Sequence, residues 1–396
     1  MRIVVFAYAC EPGKGSEPGA GWALAQMIAS FADVHVITRS NNAAAVEDAH
    51  SHLSTRDRMS FSFVEGPAWS RHLKKGQRGI RLYHSLWQRA ALKEARRLHE
   101  REPFDAAWHI TIANAWLGSA GGGLGIPFVF GPVGGGVTAP WRIVRALGWR
   151  AVAFEVARIT TRMMWRTFNP LARNALKRAT LVIAQNKETR DWLPRRYHPK
   201  TVIFQNAVME GPAPTPKTRS HSHPIACFAG RLNTWKGAAI AIRAIAATPD
   251  WHLVLLGEGP ERERLWALAD ELDVVDRVQL RGRVSHPELF RVMSEEADAF
   301  LFPSLHDDSA LAVAEAVACG LPVVCLDIGG TPVIAGERGI AVDPHGSPKS
   351  VVKDLAAALE KVRSWTHVST EAERVSLGSR AGALRTLVAY HFGLDP

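Results

Sequence analysis

Short runs of apolar residues alternate with longer amphipathic stretches through both halves of the chain. The runs IVVFAYA (3–9), DVHVITR (33–39), AAWHITI (106–112), PFVFG (127–131) and TLVIAQN (180–186) mark the first half. A second series, IACFAG, WHLVLLGEG, RVQLRG, AFLFPS and LPVVCLD, starts at residue 225. Helical or turn patterns separate the runs, the first over Ala20–Phe31. Continuous apolar strands alternating with helices predict parallel sheets covered on both faces. Two such series predict an α/β protein of two doubly wound domains, the first over 1–205 and the second over 225–370. The stretch between them, 206–224, holds EGPAPTPKTRSHSHP, has no periodicity and reads as a linker. Open sheets of this kind bind ligands outside the carboxyl ends of their strands, so the two halves are expected to face a shared cleft.

Composition narrows the class. With 396 residues, 47% of them hydrophobic, the chain has enough apolar surface for two ordinary cores. Cys10, Cys227, Cys319 and Cys325 lie in apolar stretches and form no CxxC pair, which predicts reduced core thiols in a cytoplasmic protein. The first apolar run stops at Glu11 and lacks a cleavage region, so it reads as a strand and not a leader. The net charge of +10 is uneven: residues 1–205 hold 29 Lys and Arg against 14 Asp and Glu, and the remainder holds 19 against 24. The basic half suits an anionic partner such as a membrane lipid, a nucleic acid or a phosphorylated acceptor.

Two segments of the second half carry candidate chemistry. In FAGRLNTWKG (228–237) a strand ends at Gly230, Arg231 follows, and Lys236 and Gly237 open a helix. Arg231 can fork onto phosphate oxygens, Lys236 supplies a mobile point charge, and helix N-terminal amides favour an anion. The same residues equally suit a surface pair flanking an ordinary strand–helix turn. In LHDDSALAVAEAVACGLPVV (305–324), Asp307 and Glu315 stand eight apart. On a helix they would span about 12 Å, the scale of a nucleotide-sugar from sugar ring to ribose. Asp307 alone could as well be a helix cap.

Together these segments resemble the donor domain of family 4 glycosyltransferases of the GT-B fold. The resemblance runs over 225–345 through six ordered blocks: the Gly-Arg-Leu and Lys-Gly segment, LLGEGPERERL, RVQLRGRV, AFLFPS, EAVACGLPVV and GGTP. It implies two Rossmann-like domains and a retaining, metal-independent transfer from a UDP- or GDP-linked sugar to a glycan or lipid-linked acceptor hydroxyl, without a cofactor. It places Arg231 and Lys236 on the donor diphosphate and Glu315 on the ribose. Asp307 falls where relatives carry Glu, beside the transferred sugar. Arg283 and Val284 line the base, and Gly230, Gly257, Ser309, Ala310, Leu311, Gly330 and Thr331 surround the rest of the donor. It also implies that 371–396 form a helix crossing back to the first domain. Two departures stand out: Asp307 is one methylene shorter than Glu, and Ser309-Ala310 replace the usual Phe-Gly. These keep a degenerate nucleotide-sugar binder and a GT-B epimerase open as alternatives.

The first half offers further candidates. The cluster GKGSEPGAGW (13–22) is not a dinucleotide fingerprint; by resemblance Gly19 and Ala20 lay backbone amides against the diphosphate, while a plain flexible loop is the other reading. His109 ends a strand near the expected sugar position, or is a satisfied core histidine. GPVGGG (131–136) ends the next strand in backbone alone. Residues 142–178 carry nine Arg and Lys and only Glu155. Arg158, Arg162 and Arg166 repeat on one helical face beside Trp165, and predict a surface for anionic lipid headgroups at the inner membrane face, or else a solvated face. No nucleic-acid motif accompanies the charge, and no cysteine–histidine spacing indicates a metal.

Overall fold

The structure, a computed structural model, describes residues 1–14, 17–69, 79–209, 222–365 and 370–392. Residues 210–221 of the linker lie outside the described residues. The chain forms two compact units, Met1–Gly136 with Thr160–Val208 and Leu377–Pro396, and Val137–Ile159 with Met209–Ser376. Residues 137–159, assigned from the sequence to the first domain, therefore pack with the second unit.

In the first unit the chain runs β1 (Arg2–Phe6), α1 (Glu17–Ala29), β2 (Asp33–Thr38), α2 (Ala43–Ser51), β3 (Met59–Phe63) and α3 (Ile80–Arg101). It continues through β4 (Ala106–His109) and β5 (Phe128–Val133), then α4 (Trp141–Ala146) and α5 (Trp149–Phe168). After these come α6 (Pro170–Arg178), β6 (Leu181–Ala184), α7 (Lys187–Trp192) and β7 (Thr201–Ile203). The seven strands form one parallel sheet in the order β3-β2-β1-β4-β5-β6-β7.

The second unit begins with β8 (Ile225–Ala229), α8 (Ala238–Ala246), β9 (His252–Leu256), α9 (Arg262–Glu271) and β10 (Val278–Gly282). Next come α10 (His286–Arg291), β11 (Ala299–Phe302), α11 (Leu311–Ala318), β12 (Val323–Leu326) and α12 (Thr331–Ala335). β13 (Gly339–Val342), α13 (Pro348–Val362) and α14 (Thr370–Arg374) close it, and α15 (Leu377–Phe392) lies in the first unit. The six strands are again parallel, ordered β10-β9-β8-β11-β12-β13. In each sheet the order reverses beside its first strand, between β1 and β4 and between β8 and β11. Such switch points open a crevice at the strand ends.

The period-2 alternation of β1 divides the first core. Ile3, Val5 and Ala7 pack with Trp22 and Leu24 of α1 and Leu384 and Val388 of α15. Val4, Phe6 and Tyr8 face Trp87, Phe128 and Phe130 on the other side. Both faces are covered, which is why these strands read as unbroken apolar runs. The four cysteines are buried free thiols, and burial pushes Cys319 and Cys325 up to about 12.

Buried histidines make the fold sensitive to acid. His35 is held between the hydroxyls of Ser60 and Ser62 at 2.7 and 2.8 Å, and burial lowers its pKa to about 4. His109 is fully buried with a pKa likewise lowered to about 4 by desolvation. The unfolded chain takes up these protons near pH 6.5 and the folded chain does not, so stability falls as pH drops from about 6.5 towards 4. Denaturant unfolding at a series of pH values checks this. Each such histidine contributes a slope of up to about 1.4 kcal/mol per pH unit; a midpoint that holds steady from neutral pH to 5 contradicts it.

Candidate functional site

The loops after β8, β9, β11 and β12 meet at the switch point of the second sheet. Backbone contacts there explain several glycines. A Cβ on Gly237 (φ +83°) would lie 2.0 Å from the Pro303 carbonyl oxygen, and one on Gly257 (φ +150°) would lie 1.8 Å from that of Gly230. Gly330 N donates to the Asp307 carbonyl at 2.8 Å. These approaches press the β8 loop onto the β11 loop, and the β11 loop onto the start of α12.

Within this frame Lys236 Nζ lies 2.6 Å from Asp307 Oδ2. The same oxygen accepts from Ser304 Oγ at 2.9 Å. The side chains of Lys236 and Asp307 are 24% and 13% exposed. Asn233 accepts from the Lys236 amide and shapes the turn. Arg231, by contrast, is exposed, and its guanidinium has no hydrogen bond or ion pair among the described residues. The two cations are thus inequivalent: Lys236 is neutralised by Asp307, and Arg231 carries the uncompensated charge.

Asp307 and Glu315 do not share a helix. Residues 303–310 form a loop and α11 starts at Leu311, with Ala310 as its capping position. Glu315 accepts from His286 Nε2 at 2.7 Å, and its side chain is 16% exposed. Arg283 is exposed and Val284 half-buried in the loop before α10. Ser309 Oγ and Thr331 Oγ1 are buried polar atoms with no hydrogen-bond partner among the described residues. Buried hydroxyls of this kind ordinarily find a partner, so this corner has unused hydrogen-bonding capacity.

His306, next to Asp307, was not picked out from the sequence. Its ring stacks on Trp235 at 5.8 Å, and Trp235 stacks on Phe154 at 4.7 Å and 5°. Burial, assisted by the Arg158 guanidinium, pushes the His306 pKa down to about 4. The ring is therefore neutral near pH 7, and its Nε2 has no partner among the described residues. The unusual aromatic inside the Arg231–Lys236 loop, Trp235, was the available signal; its partners lie 71 and 81 residues away in sequence.

The arginine face of α5 points inward. Arg158 forks onto Glu155 at 2.8 and 2.6 Å and donates to the Val137 carbonyl at 2.9 Å. Glu155 is 2% exposed and also accepts from Ala139 N at 3.1 Å. Its burial alone would raise its pKa, but the Arg158 fork outweighs that and holds it low. Arg162 is 3% exposed, donates to the Gly135 carbonyl at 3.1 Å and lies 5.4 Å over the Trp192 ring. Arg166 stands 4.5 Å over the same ring, and Trp165 is half-buried. Arg158 and Arg162 are thus engaged by the protein itself, while Arg166 stays half-buried, so the three arginines do not form one exposed face.

Two further expectations fall in the first unit. Gly19 and Gly21 lie in α1 and not in a loop; a Cβ would meet the Lys14 oxygen at 1.9 Å and the Ala9 oxygen at 2.1 Å respectively, and Ala20 is buried. Chain packing by itself requires both glycines. Gly15 of that cluster lies outside the described residues. His109 uses both ring nitrogens: Nε2 donates to the Thr111 carbonyl at 2.9 Å, which leaves Nδ1 to accept from Ser119 Oγ at 2.7 Å. It fixes the segment after β4 and has no nitrogen free for a ligand. In GPVGGG a Cβ on Gly136 would meet the Thr189 backbone at 2.2 Å, again a neighbour in the chain.

Comparison with known proteins bears on this second unit first. A family model for group 1 glycosyl transferases matches residues 214–374. The chain is 37% identical over 129 residues to a D-inositol 3-phosphate glycosyltransferase of Mycobacterium sp. (strain KMS), covering 31% of this chain and 29% of that protein. It is 30% identical over 177 residues to a glycogen synthase of Mycobacterium tuberculosis, covering 39% and 42%. The chain thus spans less than half the length of these curated relatives. Among solved structures, an apo lipopolysaccharide outer core galactosyltransferase, WaaB, superposes with TM-score 0.64 at 14% identity, covering 98% of this chain and 99% of that one. HepE of Anabaena in complex with UDP gives 0.60 at 16%, covering 98% and 100%. Sucrose-phosphate synthase of Thermosynechococcus elongatus gives 0.63 at 17%, covering 99% of each. These likenesses establish the fold: two Rossmann-like domains of the GT-B type.

The inward Arg158 predicts a structural phenotype. Arg158→Ala strands the buried Glu155 carboxylate and should cost about 3–5 kcal/mol of stability, whereas Arg173→Ala on exposed α6 should be nearly neutral. Paired thermal melts decide; equal, small effects would return Arg158 to the surface.

Proposed function

We propose that the chain is a retaining, metal-independent glycosyltransferase that moves a sugar from a UDP- or GDP-linked donor to a hydroxyl of a glycan or lipid-linked saccharide. One observation carries this reading. At the switch point of the second sheet an unpaired exposed arginine stands beside a half-buried Lys–Asp pair, in the stretch that matches the group 1 glycosyl transferase model.

In this reading Arg231 receives the donor diphosphate first, because its charge is uncompensated. Lys236 then shares its ammonium protons between Asp307 and a phosphate oxygen. Asp307, held by Lys236 and Ser304, keeps its other oxygen for a sugar hydroxyl. Ser309 Oγ and Thr331 Oγ1 supply the hydroxyl contacts that the protein leaves unmade. Glu315 exchanges His286 for the ribose hydroxyls. The leaving diphosphate gains negative charge as the glycosidic bond breaks, and fixed cations stabilise that charge more than the ground state. The acceptor oxygen attacks from the face the diphosphate leaves, and a diphosphate oxygen takes its proton, so no protein nucleophile is consumed.

The test has two arms. UDP or GDP should raise the melting temperature of the wild-type chain, and Arg231→Ala should abolish that shift and lower transfer by about a hundred- to a thousandfold. Unchanged transfer in Arg231→Ala contradicts the assignment. Donor-induced stabilisation with neither transfer, donor hydrolysis nor epimerised sugar identifies a nucleotide-sugar binder instead, a reading favoured by the engagement of Asp307 with Lys236.

A further inference from the structure

Trp235 is the middle of three near-parallel rings. Phe154 stacks on it at 4.7 Å with the planes 5° apart, and His306 stacks on it at 5.8 Å and 14°. The stack is not part of a core: Phe154 is 44% exposed and Trp235 is half-buried. Rings at such spacings attract one another beyond the area they bury. The contact therefore orients the indole more than it hides apolar surface.

Each outer ring is anchored separately. Phe154 precedes Glu155, which accepts from Ala139 N at 3.1 Å and is forked by Arg158. Earlier in the same segment the Leu147 carbonyl accepts from Arg264 Nη2 of α9 at 3.1 Å. His306 precedes Asp307, whose carbonyl accepts from Gly330 N. The middle residue adds ties of its own. The Trp235 carbonyl accepts from Leu305 N at 2.8 Å and from Ser304 Oγ at 3.2 Å. Lys236 is the next residue in the same short turn, Thr234–Lys236, and Arg231 lies four residues before the indole. Ring and backbone of Trp235 thus join the loop that carries both cations to the loop that carries Asp307.

We propose that Phe154 is a positioning residue for the transfer reaction, acting through Trp235: its ring holds the indole, and the indole holds Arg231 and Lys236 where a donor diphosphate meets both. The proposal rests on the function proposed above and adds to it the segment 137–159, which the sequence reading had placed in the other domain. Phe154 is not a catalytic residue in this account, because its contact is with Trp235. Since flat-ring stacking is the operative feature, another aromatic side chain should serve and a small one should not.

Isothermal titration of the full chain with UDP and GDP, and with UMP and GMP, tests it. The diphosphate that wild type binds should bind Phe154→Ala about two- to tenfold more weakly, the range one aromatic pair supplies. The matching monophosphate, with one phosphate fewer for the two cations, should lose less. Phe154→Tyr should restore wild-type affinity. Melting temperatures should stay close to wild type throughout, because the Phe154 side chain is already exposed. Unchanged diphosphate affinity in Phe154→Ala overturns the proposal and leaves the proposed function standing. So does an equal loss for the monophosphate, or a failure of Phe154→Tyr to rescue, since either marks a general disturbance of the fold. A wild-type chain that binds neither diphosphate overturns the proposed function, and this proposal with it.

Discussion

The contact between Lys236 Nζ and Asp307 Oδ2, at 2.6 Å, is the interaction on which the candidate site depends. It joins the loop after β8 to the loop after β11, the two central strands of the second sheet. Around it the backbone leaves little freedom, because Gly237 abuts Pro303 and Gly330 bonds Asp307. The pair is half-buried, so its attraction is stronger than that of a surface ion pair while its desolvation cost stays moderate. It also sets the electrostatics: with Lys236 neutralised, Arg231 becomes the net positive charge that an anion meets. In the proposed reaction an arriving diphosphate would compete with Asp307 for Lys236, which would couple binding to the position of the carboxylate.

A second layer supports this arrangement from 137–159. Phe154 stacks on Trp235, and Trp235 on His306. Glu155 and Arg158 anchor the segment through Ala139 and Val137. Trp235 lies between Arg231 and Lys236 in sequence, so this packing fixes the loop that carries both cations. His306 is kept neutral by burial and by Arg158, and protonating it would place a cation beside Lys236.

The strands were legible because parallel strands covered on both faces have nothing polar to alternate with. The Arg231–Lys236 and Asp307–Glu315 segments were legible because their residue types and spacings recur together. What the sequence hid was direction and distance. A four-residue repeat places Arg158, Arg162 and Arg166 on one face but cannot say whether that face is wet. Glu155, three residues before Arg158 and the lone acid in the stretch, was the local sign that it is not. The spacing of eight between Asp307 and Glu315 suggested a helix, but the backbone ties of the β11 loop to Gly330 and Gly237 delay the first turn to Leu311. The resemblance put the Gly19 and Ala20 amides against a diphosphate; the Lys14 and Ala9 carbonyls that require glycine at 19 and 21 are visible only once the chain is folded. The partners of Trp235 come from remote segments, which periodicity cannot connect.

A double-mutant cycle on Lys236→Ala and Asp307→Ala, read by denaturant unfolding of the ligand-free chain, tests the central contact most directly. If the pair holds the two loops as described, the single variants will each destabilise and the double variant will cost less than their sum, with a coupling of about 1 kcal/mol or more. Additivity within about 0.3 kcal/mol would show that the two side chains do not interact, and would contradict the account.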